Sequence, residues 1–148
     1  MAVRLEDLGP EARKQALAKL GEQKKAGKYH AQPVTVKTGK GREIRFDSRR
    51  EARRFEELLA LRLAGRIRDL RVHPQFTLLE AYTLPDGQRV RAVRYEADFS
   101  YYERTAGAVE TWDLVVEDVK SPATKTRIYE IKRKLMLEKR GITIREVF

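Results

Sequence analysis

The spacing of apolar side chains separates a short N-terminal stretch from the rest of the chain. Over residues 1–27, apolar side chains recur every three or four positions, which predicts a helix with a narrow apolar face. Such a face is too narrow to bury much surface by itself. We therefore predict a helical extension over residues 1–27 and a folded domain over residues 28–148. The apolar positions of the extension are Leu5, Leu8, Ala12, Ala16 and Leu20.

The first part of the folded domain begins with alternating residues and continues with a helical repeat. Residues 34–46 contain two short alternating stretches around the turn signal "TGKG", which predicts two strands. Ser48 followed by Glu51 is a capping-box pattern that predicts the start of a helix, and Gly65 is suited to end it. The apolar face of this helix is predicted to contain Ala52, Phe55, Leu58, Leu59 and Leu63.

The second part of the domain is predicted to be mostly strands, followed by one more helix. From Ile67 to Lys120 apolar and polar residues alternate, and "PDGQ" marks a hairpin turn. Residues 124–141 return to a helical repeat that Gly141 closes, and "ITIREVF" predicts a last strand. This order of elements predicts a mixed α/β fold. The buried side of the second helix is predicted to contain Ile128, Ile131, Leu135 and Met136.

The absence of cysteine restricts the metal sites that the chain could form. Ligands must come from carboxylates, carbonyl groups or the two histidines, His30 and His73. Oxygen-rich sites suit hard cations such as Mg²⁺ or Mn²⁺. We expect His73, which precedes Pro74 between two predicted strands, to be an ordinary loop histidine. No apolar stretch approaches about 18 residues, so we expect a cytoplasmic protein without a membrane partner.

The charge balance points to a polyanionic partner. The net charge is +10, from 32 basic and 22 acidic residues, and nucleic acid is the commonest partner of such a surplus. A highly charged surface alone would explain the abundance of charged residues but not their imbalance. A non-catalytic basic module that binds nucleic acid remains an alternative to an enzyme.

The stretch "WDLVVEDVKS" places charges at the end of an apolar strand. Strand alternation puts Asp118 and Lys120 on one face and Glu117 on the other, although a bulge would make Glu117 the alternative to Asp118. If this strand pairs with the one near Asp98, two carboxylates meet beside a lysine. A divalent cation relieves their repulsion, and the lysine can stabilise developing negative charge. Metal-assisted phosphodiester hydrolysis needs this combination.

Five segments in order carry a resemblance to a known family. The segments are "FDSRREA", "YEADF", "VVEDVKS", "TRIYEIKRKLM" and "GITIREV". Together they resemble the PD-(D/E)XK nuclease superfamily, and more narrowly a phage-encoded group similar to archaeal Holliday junction resolvases. Ala97 stands where proline often precedes the first strand acid. The resemblance covers about residues 28–148 and implies a restriction-endonuclease-like mixed central sheet flanked by helices.

The resemblance also implies an activity, a cofactor and an assembly. It implies a homodimeric endonuclease that uses Mg²⁺, with Mn²⁺ as a substitute, and resolves four-way DNA junctions in the cytoplasm, that of the host cell if the protein is phage-encoded. An enzyme of the same fold that cuts flap or linear duplex DNA is the alternative. A glutamate on the first helix joins the strand acids in that family, and Glu51 occupies the matching position.

The predicted site therefore combines a catalytic group with a surrounding DNA-binding surface. The catalytic residues are predicted to be Glu51, Asp98, Asp118 and Lys120. The predicted metal ligands are Asp98, Asp118, Glu51 and the backbone carbonyl of Val119, with Glu117 as the alternative to Asp118. Phosphate contacts are predicted for Arg49, Arg50, Arg53, Tyr129, Lys132 and Lys134.

Overall fold

A computed structural model describes residues 32–148 as a mixed α/β structure with several sheets and two helices. The predicted extension over residues 1–27 and His30 lie outside the described residues. The predicted mixed α/β class is confirmed. In chain order, the elements are β1 (Val34–Lys37), β2 (Glu43–Phe46), α1 (Arg49–Leu63), β3 (Ile67–Val72), β4 (Gln75–Leu79), β5 (Tyr82–Thr83), β6 (Arg89–Val90), β7 (Val93–Glu96), β8 (Phe99–Thr105), β9 (Thr111–Val119), a short 3-10 helix (Pro122–Thr124), α2 (Arg127–Arg140) and β10 (Arg145–Val147).

A four-stranded sheet in the order β10-β9-β8-β3 forms the centre of this region. Strand β10 runs parallel to β9, whereas β8 is antiparallel to both β9 and β3, so the sheet is mixed. Strands β4 and β7 pair with each other, as do β5 and β6, on either side of the predicted "PDGQ" turn. Gly87 adopts φ +88° in that turn, a backbone conformation that favours glycine.

Helix α1 begins where the capping pattern predicts. The Ser48 hydroxyl oxygen accepts a hydrogen bond from the Glu51 backbone N–H, and the Glu51 carboxylate accepts one from the backbone N–H of Asp47. Ala52, Phe55 and Leu58 are buried as expected. Leu63 is 86% exposed, so its predicted burial is wrong. It is the last residue of the helix, and the chain turns away through Gly65, which has a φ of +69°.

Helix α2 buries only part of the predicted face. Met136 is buried and Leu135 packs against the core as expected. Ile128 and Ile131 are 67% and 58% exposed, whereas Tyr129 and Met136 are buried. Tyr129 therefore takes the buried place that was predicted for Ile128 and Ile131. Burying the Tyr129 ring brings its hydroxyl to Glu146 on β10, where it donates a hydrogen bond of 2.9 Å. The predicted closing residue, Gly141, caps the helix with a left-handed backbone conformation.

Two apolar cores lie on opposite faces of the central sheet. Val115 packs with the residues of α1, and the next residue, Val116, packs with those of α2. Successive side chains of a strand point to opposite faces, so the two helices cover opposite sides of β9. Neither helix described in residues 32–148 is long and apolar enough to cross a membrane.

Candidate active site

Two bends of the chain lie side by side at one end of the sheet. One bend, at His73, joins β3 to β4, and the other, at Asp98, joins β7 to β8. Because β3 pairs with β8 and β4 pairs with β7, the bends face each other. The His73 backbone N–H donates to the Asp98 carbonyl at 3.0 Å, and the Ala97 N–H donates to the Pro74 carbonyl at 3.1 Å. The paired bends bring His73 and Asp98 together.

The first turn of α1 adds a third side chain to this point. Ligand atoms of Glu51, His73 and Asp98 all lie within 4.8 Å of one another, and the three side chains together could hold a metal ion. Glu51 could therefore serve both as a metal ligand and as a helix cap, since its carboxylate also accepts hydrogen bonds at the start of α1. His73 lies in the connection between β3 and β4, as expected, and its imidazole also stands beside Glu51 and Asp98, which the sequence did not indicate. A His-Pro pair between two strands cannot by itself indicate which other bend it will face.

The end of β9 supplies an acid and a lysine on one face. The ammonium Nζ of Lys120 lies 3.1 Å from Oδ1 of Asp118, as the shared face predicts, and the Asp118 side chain is almost fully buried. The Tyr95 hydroxyl donates a short hydrogen bond to the other carboxylate oxygen of Asp118. Lys120 also lies over the ring of Tyr129, 4.1 Å from its centroid. These contacts fix the positions of both charged groups.

Asp98 connects the two groups of side chains. Its Oδ2 accepts a 2.6 Å hydrogen bond from the Val119 backbone N–H, and the neighbouring Asp118 carboxyl group acts electrostatically on Asp98. Burial raises the pKa of Asp98 to about 8, and the negative charge of Asp118 and then that of Glu51 add to the effect. Among residues 32–148, the side chains whose ligand atoms all lie within 4.8 Å of one another are those of Glu51, His73 and Asp98, and Asp118 is not part of this group. The carboxylate oxygens of Glu51 and Asp98 match the donor preference of Mg²⁺ or Mn²⁺, whereas a ligand role for Asp118 stays a prediction.

Glu117 lies on the opposite face of β9 and has partners of its own. The Glu117 side chain is fully buried, accepts hydrogen bonds from Arg54 at 2.6 and 3.1 Å, and accepts a third from the Tyr101 hydroxyl at 2.7 Å. Hydrogen bonding to Glu117 holds the pKa of Arg54 above its ordinary value. Burial, reinforced by the same carboxylate, raises the pKa of Tyr101 to about 12.

The register of β9 separates Glu117 from the candidate site. Strands β8 and β9 pair without a shift from Phe99 opposite Glu117 to Thr105 opposite Thr111. A bulge that could exchange the faces of Glu117 and Asp118 is therefore absent from this pairing. Glu117 joins β9 to α1 and β8, and the alternative assignment of Glu117 as a ligand finds no support. The Val119 N–H contacts Asp98, whereas a ligand role for the Val119 carbonyl stays a prediction.

The residues predicted to contact DNA differ in their exposure. Arg49, Arg50 and Arg53 are exposed near the start of α1. Lys132 is half-buried and Lys134 exposed on α2. Tyr129 is only 7% exposed, which is inconsistent with its predicted DNA contact. Its ring instead lies beneath Lys120, close to Asp118.

Glu146 on β10 is a supporting residue that the sequence did not indicate. It lies opposite Asp118 in the parallel pairing of β9 and β10. Its carboxylate accepts a hydrogen bond from Tyr129 and forms ion pairs with Lys125 at 2.7 Å and Arg133 at 3.5 Å. The hydrogen bond from Lys125 holds the pKa of Glu146 below its ordinary value. These contacts attach α2 to the sheet beside the candidate site.

Comparisons with known proteins return one match. A family model described as "Protein of unknown function (DUF1064)" matches residues 26–147, which is most of the chain. No curated protein and no solved structure matches the chain. The family description specifies no chemistry, so an argument about activity depends on the residues of the candidate site.

Proposed function

The chain belongs to the DUF1064 family, and we propose that it is a metal-dependent, structure-selective endonuclease that resolves four-way DNA junctions by hydrolysing phosphodiester bonds. The supporting observation is the convergence of Asp98 with the Asp118 and Lys120 pair at the end of a mixed sheet. A carboxylate oxygen of Glu51 lies within 4.8 Å of one of Asp98. The resemblance to PD-(D/E)XK nucleases assigns the same four positions, and the proposed fold is restriction-endonuclease-like.

The carboxylates provide a binding place for the cation. Asp98, Asp118 and Glu51 offer oxygen ligands, and a bound divalent cation would neutralise negative charge on the phosphate and promote ionisation of water there. The Tyr95 hydroxyl and the Lys120 ammonium orient Asp118. Because these contacts fix the carboxylate, little reorganisation is needed when substrate binds.

In the proposed reaction Lys120 serves as a hydrogen-bond donor to the phosphate or to the attacking water. An ammonium group has three N–H donors, and its contact with Asp118 engages only part of that capacity. The remaining donors are available to a phosphate oxygen or to the attacking water. The Tyr129 ring packs against the ammonium group and holds its position. Lys120 would therefore stabilise the negative charge that grows on the phosphate during attack.

The proposed substrate follows from charge and from the family resemblance. The net charge of +10 favours DNA, and exposed arginines lie beside Glu51 at the start of α1. A homodimer would present two sites and could cut two strands of one junction symmetrically. The preference for a four-way junction rests on the resemblance alone.

Cleavage of defined DNA structures tests this proposal. The purified protein would be incubated with a four-way junction, a flap and a linear duplex of the same sequences, in Mg²⁺, in Mn²⁺ and in chelator. We expect the junction to be cut fastest, and only with a divalent cation. Faster cutting of flap or duplex would retain the nuclease and overturn the junction preference. Binding without cleavage of any substrate would overturn the enzyme and favour a non-catalytic binding module.

A further inference from the structure

The imidazole of His73 is brought to the carboxylates from a third part of the chain. Glu51 comes from α1, Asp98 from the bend before β8, and His73 from the bend after β3. One ligand atom from each lies within 4.8 Å of the other two. The histidine supplies the one nitrogen donor in a group whose other donors are oxygen atoms.

The position of His73 is fixed by its backbone. The residue adopts φ +51°, an uncommon conformation for a residue other than glycine, although histidine, asparagine and aspartate adopt it more readily than most. Its N–H donates to the Asp98 carbonyl, and its ring meets the ring of Phe46 edge-on with centroids 5.9 Å apart. Phe46 is itself fully buried in the core beneath α1. These contacts hold the imidazole beside the two carboxylates.

The chemistry of an imidazole distinguishes between cations. Mg²⁺ and Mn²⁺ both suit oxygen ligands, whereas imidazole nitrogen suits first-row transition metals such as Fe²⁺, Ni²⁺ and Zn²⁺. Mn²⁺ is the member of that series whose oxygen preference resembles that of Mg²⁺, and unlike Mg²⁺ it gains from an added nitrogen ligand. We propose that His73 is a nitrogen ligand in a metal centre with Glu51 and Asp98, and that it makes this centre select Mn²⁺ over Mg²⁺. The role of this metal in DNA cleavage rests on the proposed function. The inference itself concerns the nitrogen ligand and the preference for Mn²⁺ over Mg²⁺.

Metal binding can be measured on the whole protein without DNA. Mn²⁺ alone and Mg²⁺ alone would be titrated by calorimetry, and pulsed electron paramagnetic resonance of bound Mn²⁺ would report a directly bonded nitrogen nucleus. The protein would carry no affinity tag, and the buffer would contain no nitrogen. We expect a nitrogen coupling to Mn²⁺ and tighter binding of Mn²⁺ than of Mg²⁺.

Two matched variants assign the nitrogen. His73→Asn retains a residue that tolerates positive φ but removes the imidazole. It should abolish the coupling and weaken Mn²⁺ binding by at least roughly tenfold, the lower end of what loss of an outer-shell metal partner costs. Mg²⁺ binding should change much less. His30→Asn, which alters the only other histidine, should keep both the coupling and the preference.

The His30→Asn variant also makes the test independent of whether His73→Asn folds. Any imidazole coupling that it retains must come from His73, and labelling its histidine with ¹⁵N should change the spectrum accordingly. Loss of the coupling in His30→Asn, its absence from the wild-type protein, or equal affinity for Mn²⁺ and Mg²⁺ would overturn the proposal. Junction cleavage by a protein without nitrogen coupling would overturn this inference alone. Nitrogen coupling in a protein that cuts no DNA would support the ligand and overturn the proposed nuclease.

Discussion

Glu117 and Asp118 are adjacent acids with different surroundings. Asp118 faces Lys120 and Tyr95, whereas Glu117 faces Arg54 and Tyr101. The two-residue period of a strand was enough to separate their faces from sequence. It could not reveal Arg54 as the partner of Glu117, because that contact joins residues 63 positions apart. Local periodicity gives the direction of a side chain, but only the folded chain gives its partner.

Replacing Glu117 should affect stability more than chemistry. Glu117→Gln removes the charge that pairs with Arg54 in a buried position. Breaking one side of a buried ion pair costs about 3–5 kcal/mol, and because glutamine keeps some hydrogen bonding we expect a loss near the lower end, about 3 kcal/mol. Denaturant unfolding measures this loss. The folded variant should still cleave DNA.

Glu57 offers a matched control for that change, since it pairs with the same arginine at the surface. Exposed ion pairs contribute about 0–1 kcal/mol, so Glu57→Gln should have little effect on unfolding. Equal destabilisation by the two variants would contradict the structural part assigned to Glu117. Loss of cleavage by fully folded Glu117→Gln would instead make Glu117 part of the chemistry.

The raised pKa of Asp98 predicts how stability depends on pH. The folded protein holds a proton at Asp98 up to a pKa of about 8, whereas the unfolded chain releases it near the ordinary value of 3.8. Between these values the folded state binds more protons, so its stability falls as pH rises. Without divalent cations, the melting temperature should therefore decline from about pH 4 to pH 8. Added Mn²⁺ should raise the melting temperature more at pH 8 than at pH 6, because the cation competes with the proton.

Asp98→Asn should remove much of this decline, and it should also remove the extra stabilisation by Mn²⁺ at high pH. Asp113→Asn is the control, because Asp113 is an exposed aspartate on β9. A wild-type melting temperature that rises over the same range in parallel with that of Asp98→Asn would contradict the assignment of the proton to Asp98.

The elements were predictable where their signals are local. Ser48 and Glu51 mark the start of α1 within four consecutive residues, and the "PDGQ" turn marks its hairpin in the same way. The burial of Tyr129 in place of Ile128 was missed because it depends on a distant contact. The Tyr129 ring is buried and its hydroxyl donates a hydrogen bond to Glu146 on β10, whereas Ile128 is exposed to solvent. A prediction from sequence favours the burial of isoleucine over that of tyrosine. It cannot take into account a hydrogen-bond partner on a distant strand.

Helix α2 is predicted to contribute to the DNA footprint through Lys132 and Lys134. The logarithm of affinity should fall linearly with that of salt concentration, with a slope of roughly −0.9 for each phosphate neutralised. Replacing both lysines with alanine should make this slope shallower by up to about 1.8. Binding to a four-way junction across a range of salt concentrations measures it.

Lys139 provides a control on the same helix. It lies ten residues beyond Tyr129, about 15 Å along the helix axis, and it pairs with Glu138. Lys139→Ala should leave the slope nearly unchanged. An identical slope for the wild-type protein and the double variant would exclude the two lysines from the DNA interface.

At the scale of the whole molecule, the site groups found among residues 32–148 lie between residues 51 and 120. We predict that residues 1–27 carry none of the chemistry. A chain shortened to residues 28–148 should therefore retain metal-dependent cleavage. It should bind DNA more weakly, because the removed residues 1–27 contain lysines and arginines. Cleavage rates at saturating protein separate the two effects. Complete loss of cleavage by a folded shortened chain would assign residues 1–27 to the chemistry.

Asp118→Asn tests the central claim most directly, measured as the cleavage rate of a four-way junction in Mg²⁺ and in Mn²⁺. The change keeps the shape of the side chain but removes the charge that faces Lys120 and adjoins Asp98. We predict a fall of at least about a hundredfold, since even outer-shell partners of a bound metal are worth 10–100-fold. Junction binding should be unchanged or tighter, because one negative charge near the phosphate is gone. Asp113→Asn, on the exposed part of the same strand, should cut at the wild-type rate. Cleavage by Asp118→Asn at the rate of Asp113→Asn would contradict the assignment of this site.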